Sequence, residues 1–161
     1  MINIVLIEPE IPQNTGNIAR TCAAVGARLH LIEPMGFKVD DAKLKRAGLD
    51  YWHLLDIIYH KDAADFLGRN AGENLIFFSS FAVKLYTEAD YSGDPFLIFG
   101  KETAGVPEHI LKANLESCVR IPMRDNLRSL NLSNCAAIAV YEALRQQNFE
   151  GLKFEGKFAD L

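Results

Sequence analysis

Apolar runs and short polar loops alternate along this chain. Residues 2–8 (INIVLIE) are apolar at nearly every position, the pattern of a strand buried on both faces rather than one. Pro9 and Pro12 close it, because proline donates nothing to a sheet ladder. A helix is predicted from Asn14 to about Val25, with Asn14 at the N-cap position and Gly26 as its stop. The alternation continues with strands over 28–33, 54–59, 75–79, 95–100 and 117–122, and helices over 40–46, 61–67, 107–113 and 133–147. It predicts an α/β fold, a mostly parallel sheet of about six strands with helices on both faces. No repeat, low-complexity segment or linker divides the chain, so residues 1–161 are expected to form one domain, with 148–161 a loosely held tail.

One stretch departs from simple alternation. A β-branched run ends at Pro122. A polar loop with Arg124 and Arg128 follows, and then Ser129-Leu-Asn-Leu-Ser-Asn134 leads into an Ala-rich helix. Strand, loop and helix start are where open α/β sheets place ligands. Helix capping accounts for one or two of these Ser and Asn residues, but not for four set around two leucines. Leu130 and Leu132 are expected to point inward and hold Ser129, Asn131 and Ser133 in place. Two other loops stand at predicted strand ends. In the first, Asn17 and Arg20 share a helix face. In the second, residues 98–107, Gly100 and Gly105 leave room for backbone to approach a ligand.

Composition narrows the options. Apolar residues are 49% and charged residues 24%, values of an ordinary soluble globular domain. The net charge of −4 means that a nucleic-acid partner needs a local basic patch. Cys22, Cys118 and Cys135 are widely spaced in apolar company and read as reduced core thiols. With no signal-peptide pattern and no apolar run of spanning length, the expected location is the cytoplasm, with no membrane partner. Neither the histidines nor the cysteines have metal-ligand spacing, so no metal is expected. No G-x-G-x-x-G follows the first strand, and no G-x-S-x-G elbow is present. Phe99-Gly-Lys-Glu-Thr103 fails as a P-loop, because Glu102 follows Lys101 and Pro95 occupies the place of the first glycine.

Taken together, EPEIPQNTGNIAR at 8–20, RLHLIEPMGF at 28–37, LDYW at 49–52, FGKETAGVP at 99–107, RIPM at 120–123 and RSLNLSNCAAIAVYEA at 128–143 resemble the SPOUT class of RNA methyltransferases. Within that class the chain resembles the single-domain tRNA 2′-O-methyltransferases that act on the cytidine or modified uridine at the wobble nucleotide. The resemblance implies a C-terminal deep trefoil knot, which general topology rules would never suggest. It also implies S-adenosylmethionine as cofactor, tRNA as substrate, and a homodimer whose sites borrow residues from both subunits. Carried over by motif, Asn14, Arg20, Glu102, Ser129 and Asn131 are the catalytic set, and Phe78, Gly100, Ile121 and Ser129 match cofactor contacts. Arg20 is expected to clamp a substrate phosphate, since guanidinium is a poor base. Glu102 is expected to orient an arginine or to accept a proton. Arg120, Arg124, Arg128, Lys43, Lys45 and Arg46 are candidates for an RNA-facing patch.

Three alternatives stay open at this point: a silent RNA-binding factor of the same fold, a methyltransferase for another tRNA position or rRNA, and a nucleotide-dependent oxidoreductase. For assembly, Ala137, Val140, Tyr141 and Leu144 form an apolar stripe on the last helix, flanked by Ala136, Ala139 and Ala143. That helix is apolar nearly all round. A second copy is therefore expected to cover part of it, with Tyr141 at or near the interface.

Overall fold

The structure is a computed structural model that describes residues 1–38 and 55–156. Six strands form one sheet: β1 (Asn3–Ile7), β2 (Arg28–Ile32), β3 (Ile57–His60), β4 (Leu75–Phe78), β5 (Phe96–Phe99) and β6 (Cys118–Val119). Their order is β3-β2-β1-β5-β4-β6, and every adjacent pair is parallel. The expected α/β architecture is thus observed, with no antiparallel strand in the sheet among the described residues. The expected helix over 40–46 lies outside the described residues.

Side chains on successive strand positions face opposite sides, so the apolar runs build two cores. Ile4, Leu6, Leu29, Leu31, Leu97 and Val119 point to one face. There they meet α1 (Pro12–Val25) and a long C-terminal helix, Leu132–Gln146. Val5, Ile7, Ile32, Phe77 and Ile98 point to the other, under the short helices α2 (Ala63–Arg69) and α3 (Glu108–Ala113). The C-terminal helix is α4.

Three expectations need correction. First, α1 begins at Pro12, with Ile11 as its N-cap, so Asn14 lies inside the first turn and is not the cap. Proline is suited to that start, because its missing N–H is one of the unsatisfied donors anyway. Second, α4 is turned about its axis relative to the expected stripe. Ala136, Ala139, Val140, Ala143 and Leu144 face the sheet and α1, while Ile138 and Tyr141 are exposed. The alanines thus let α4 lie close on its own domain. Third, the tail is docked at its start. Phe149 and Leu152 pack on the first core, and Phe149 N–H donates to the Leu144 carbonyl at 2.7 Å.

Candidate active site

Parallel strands all point one way, so the loops after β1, β4, β5 and β6 converge at one edge, where the order passes from β1 to β5. Such a switch point opens a crevice. The loops after β1 and β5 are joined side chain by side chain. Lys101 Nζ pairs with Glu8 Oε2 at 2.9 Å, and Thr103 donates to Glu10 Oε2 through its N–H and its hydroxyl, at 3.2 and 2.7 Å.

Glu102 closes the junction. Its Oε2 accepts from Glu10 N–H at 2.8 Å, and its Oε1 accepts from Ile11 N–H at 3.2 Å and from Asn14 Nδ2 at 2.9 Å. The start of α1 has no side-chain cap and no acidic residue in its first turn. Glu102 supplies the missing anion from another loop, where the helix dipole and free N–H groups favour it. Glu102 thus joins two loops through these three bonds.

A carboxylate only accepts, so Asn14 must present its amide nitrogen to Glu102. Its Oδ1 then accepts from Asn131 Nδ2 at 2.9 Å. Asn131 Oδ1 in turn accepts from the Ser133 N–H at 2.9 Å and hydroxyl at 2.6 Å, and from Asn134 N–H at 3.4 Å. Asn131 is therefore the N-cap of α4 and also a link to α1. Its capping role and its place in the site coexist in one side chain.

This chain of bonds forms part of the wall of a cavity of about 560 Å³. Asn14, Glu102, Ser129 and Asn131 line it, as do Phe78, Gly100 and Ile121. Phe78 stacks on Phe99 with ring centres 4.7 Å apart, giving the cavity an aromatic wall. Gly100 is also needed for the loop's own packing. A Cβ there would lie 1.8 Å from the Gly105 carbonyl carbon and 2.0 Å from Val106 N, so the loop's own backbone fills that space. Leu132 packs on the core, but Leu130 is exposed at the cavity instead of pointing inward.

Among the described arginines, only Arg128 lines the cavity. Arg124 is exposed outside it, and Arg120 is half-buried just past β6, where its backbone bonds to Lys84 and Tyr86. Arg20 is exposed on α1 and does not line the cavity of its own chain. Lys43, Lys45 and Arg46 lie outside the described residues. Burial pushes the thiols of Cys22, Cys118 and Cys135 upward, Cys22 to about 12, which leaves them protonated and unreactive. Sequence reasoning missed Glu8, Glu10 and Thr103. Their signal is an acidic pair in one loop facing Lys101 and a hydroxyl in another, and nothing local marks the two loops as neighbours.

Residues 1–141 match the SpoU rRNA Methylase family. The chain belongs to the SpoU family. Membership implies the trefoil knot expected from the motifs. This SpoU chain is 52% identical over 160 residues to a putative tRNA (cytidine(34)-2'-O)-methyltransferase of Listeria innocua, covering 97% of this chain and 94% of the relative. Among solved structures, one concerned with the 2-OH methylation of C/U34 on tRNA is 44% identical with a TM-score of 0.87, covering 93% of this chain and 98% of that one. An AdoMet-bound rRNA methyltransferase from Sinorhizobium meliloti is 28% identical with a TM-score of 0.79, covering 89% of this chain and 56% of that one.

Proposed function

We propose that this protein transfers the methyl group of S-adenosylmethionine to the ribose 2′-hydroxyl of the first anticodon nucleotide of tRNA, a cytidine or modified uridine. The observation that carries this reading is the bonded chain Glu102–Asn14–Asn131, which unites all three motifs on the wall of one cavity.

The cavity suits the cofactor. Its volume lies in the range of small-molecule sites, and it combines the apolar wall of Phe78, Phe99 and Ile121 with backbone around Gly100 and polar groups at Ser129 and Asn131. When bound, S-adenosylmethionine supplies an electrophilic methyl group. The chain's own residues then do the positioning, on which such a transfer depends. Ser129 and Asn131 hold the ribose. The three donors on Glu102 hold it as a positioning residue between the loops. Arg20 clamps a substrate phosphate and stabilises the developing alkoxide, and the proton leaves to a phosphate oxygen or to water.

A homodimer supports the placement of Arg20. Asn14 and Arg20 are six residues apart on α1, so they point to different sides of the helix. Arg20 therefore serves the cavity of a second copy, which docks on the exposed outer face of α4 at Ile138 and Tyr141. Arg124 and Arg128 face the RNA. No described helix is long and apolar enough to cross a membrane. We place the enzyme in the cytoplasm, in keeping with its three free cysteines.

The test is methyl transfer from labelled S-adenosylmethionine to tRNA, followed by mapping of the modified ribose. Label at the wobble position is expected. Label at another nucleotide, or none, overturns the reading. Arg20→Lys is expected to keep cofactor affinity and lose turnover, and Tyr141→Glu to shift the sedimenting species from dimer to monomer.

A further inference from the structure

Phe81 is 86% exposed, yet it lines the same cavity as Ser129 and Asn131. Aromatic side chains that line a concave site are available to whatever fills it. The ring does not hang on a free arm. Ser79 N–H donates to the Val119 carbonyl at 2.9 Å, the Ser79 hydroxyl accepts from Phe81 N–H at 3.2 Å, and Ala82 N–H donates to the Ser79 carbonyl at 3.3 Å. Two residues beyond Ala82, the Lys84 carbonyl accepts from Arg120 N–H at 2.9 Å. The turn is pinned at both ends, and it presents an aromatic face at the mouth of the cavity.

We propose that Phe81 is the platform on which the base of the target nucleotide stacks, an inference that rests on the RNA methylation proposed above. A ribose hydroxyl reaches an enclosed pocket only when its nucleotide leaves the helical stack, and the freed base then needs a new face. Aromatic side chains provide one without reading sequence. The deeper aromatic pair, Phe78 and Phe99, is already stacked on itself in the inner wall, whereas Phe81 faces outward. Arg128 lines the same cavity and is exposed, so a cation stands ready for a flanking phosphate. Lys101 also lines the cavity but is paired with Glu8, so the exposed guanidinium of Arg128 and the apolar ring together fit a nucleotide, whose base is flat and whose backbone is anionic.

The experiment compares wild type, Phe81→Ala, Phe81→Trp and Val83→Ala on an anticodon stem-loop. Val83 is 94% exposed in the same turn but does not line the cavity, so it controls for general disturbance of the turn. Phe81→Ala is expected to lower kcat/KM for RNA roughly tenfold, with S-adenosylmethionine affinity within about twofold of wild type. Phe81→Trp is expected to restore kcat/KM, and its added fluorescence to be quenched when the stem-loop binds, against the background of Trp52. Val83→Ala is expected to match wild type. Unchanged kcat/KM in Phe81→Ala overturns the proposal. So does a parallel loss of cofactor affinity, which assigns the ring to the cofactor wall, or a loss of dimer on sedimentation, which assigns it to the subunit interface. The quench needs binding alone. If wild type transfers no methyl group, the proposed function falls, and the platform stands with quenching or falls without it.

Discussion

Two polar chains run through this molecule, and they are built for opposite purposes. On the cavity side, Glu102, Asn14 and Asn131 link three loops, and the orientation of each amide is dictated by what its neighbour can accept or donate. Under α2, Asn3, His30 and His60 form a second chain across β1, β2 and β3, with His30 bonded to Asn3 Oδ1 at 3.2 Å and to His60 at 2.9 Å. With Asn3 Oδ1 as acceptor, His30 Nε2 carries the proton, and His30 Nδ1 accepts from His60 Nε2. The two rings stack with centres 5.2 Å apart, walled by Phe66 and Phe96. This chain lines no described cavity. The first network lines a cavity and holds three loops in one arrangement. The second satisfies buried strands and works only while His30 keeps Nδ1 unprotonated as an acceptor.

The comparison breaks most sharply at Gly100. Gly100→Ala forces the loop backbone apart at 105–106, and overpacking of this kind costs up to about 3 kcal/mol, near a hundredfold in equilibrium terms. Loss of S-adenosylmethionine binding by about that factor, read by calorimetry, is expected. Near-normal binding would mean that the loop yields easily and that the site is not held by its backbone.

Next is Glu102→Gln, which removes a charged acceptor from two N–H groups and places a possible donor against Asn14. Hydrogen bonds to charged groups contribute about 1.5–3 kcal/mol. Single-turnover methyl transfer is expected to fall by about tenfold to a hundredfold, with the sheet intact by circular dichroism. A wild-type rate would detach Glu102 from the positioning role.

A smaller and more selective effect is expected from Asn131→Asp. Aspartate caps α4 as well as asparagine does, so thermal stability should stay close to wild type. It cannot donate to Asn14 Oδ1, so turnover should drop about tenfold. Equal loss of melting temperature and activity would show that capping alone explains the residue.

The smallest effect on the reaction belongs to the histidines, whose effect on stability is large. Burial, and then the charges of His60 and Arg28, pull His30 from 6.5 down to about 4, and burial also lowers His60, against the pull of Asp65. An unfolded histidine titrates near 6.5, so between about pH 6.5 and 4 the unfolded state binds more protons. Stability is full above that window and is lost as pH falls through it, by an amount of order 3 kcal/mol for His30. Urea unfolding at pH 7.5 and 4.5 is expected to show the loss, and His30→Gln to flatten it while turnover at pH 7.5 stays within about twofold. A wild-type slope in that variant would place the titrating group elsewhere.

Local pattern carried much of this protein. Runs apolar at nearly every position, as at 2–8 and 95–100, become strands buried on both faces whatever lies beside them, because only burial on both sides removes that surface from water. The motif loops were legible because residue types crowd there beyond what capping requires. Partnership was not legible. Glu102 meets Glu10 across 92 residues and Asn131 meets Asn14 across 117, and no periodicity links positions so far apart. Even the start of α1 was misplaced, because its anion comes from the loop after β5 and not from a neighbouring side chain. The stripe on α4 was misjudged for a related reason. A helix apolar on most sides does not state which side meets the sheet, and the close fit of Ala136, Ala139 and Ala143 against their own domain decided it. Which face is buried, and which acceptor a donor finds, follow from the convergence of strand ends, and that convergence exists only once the sheet has assembled its order.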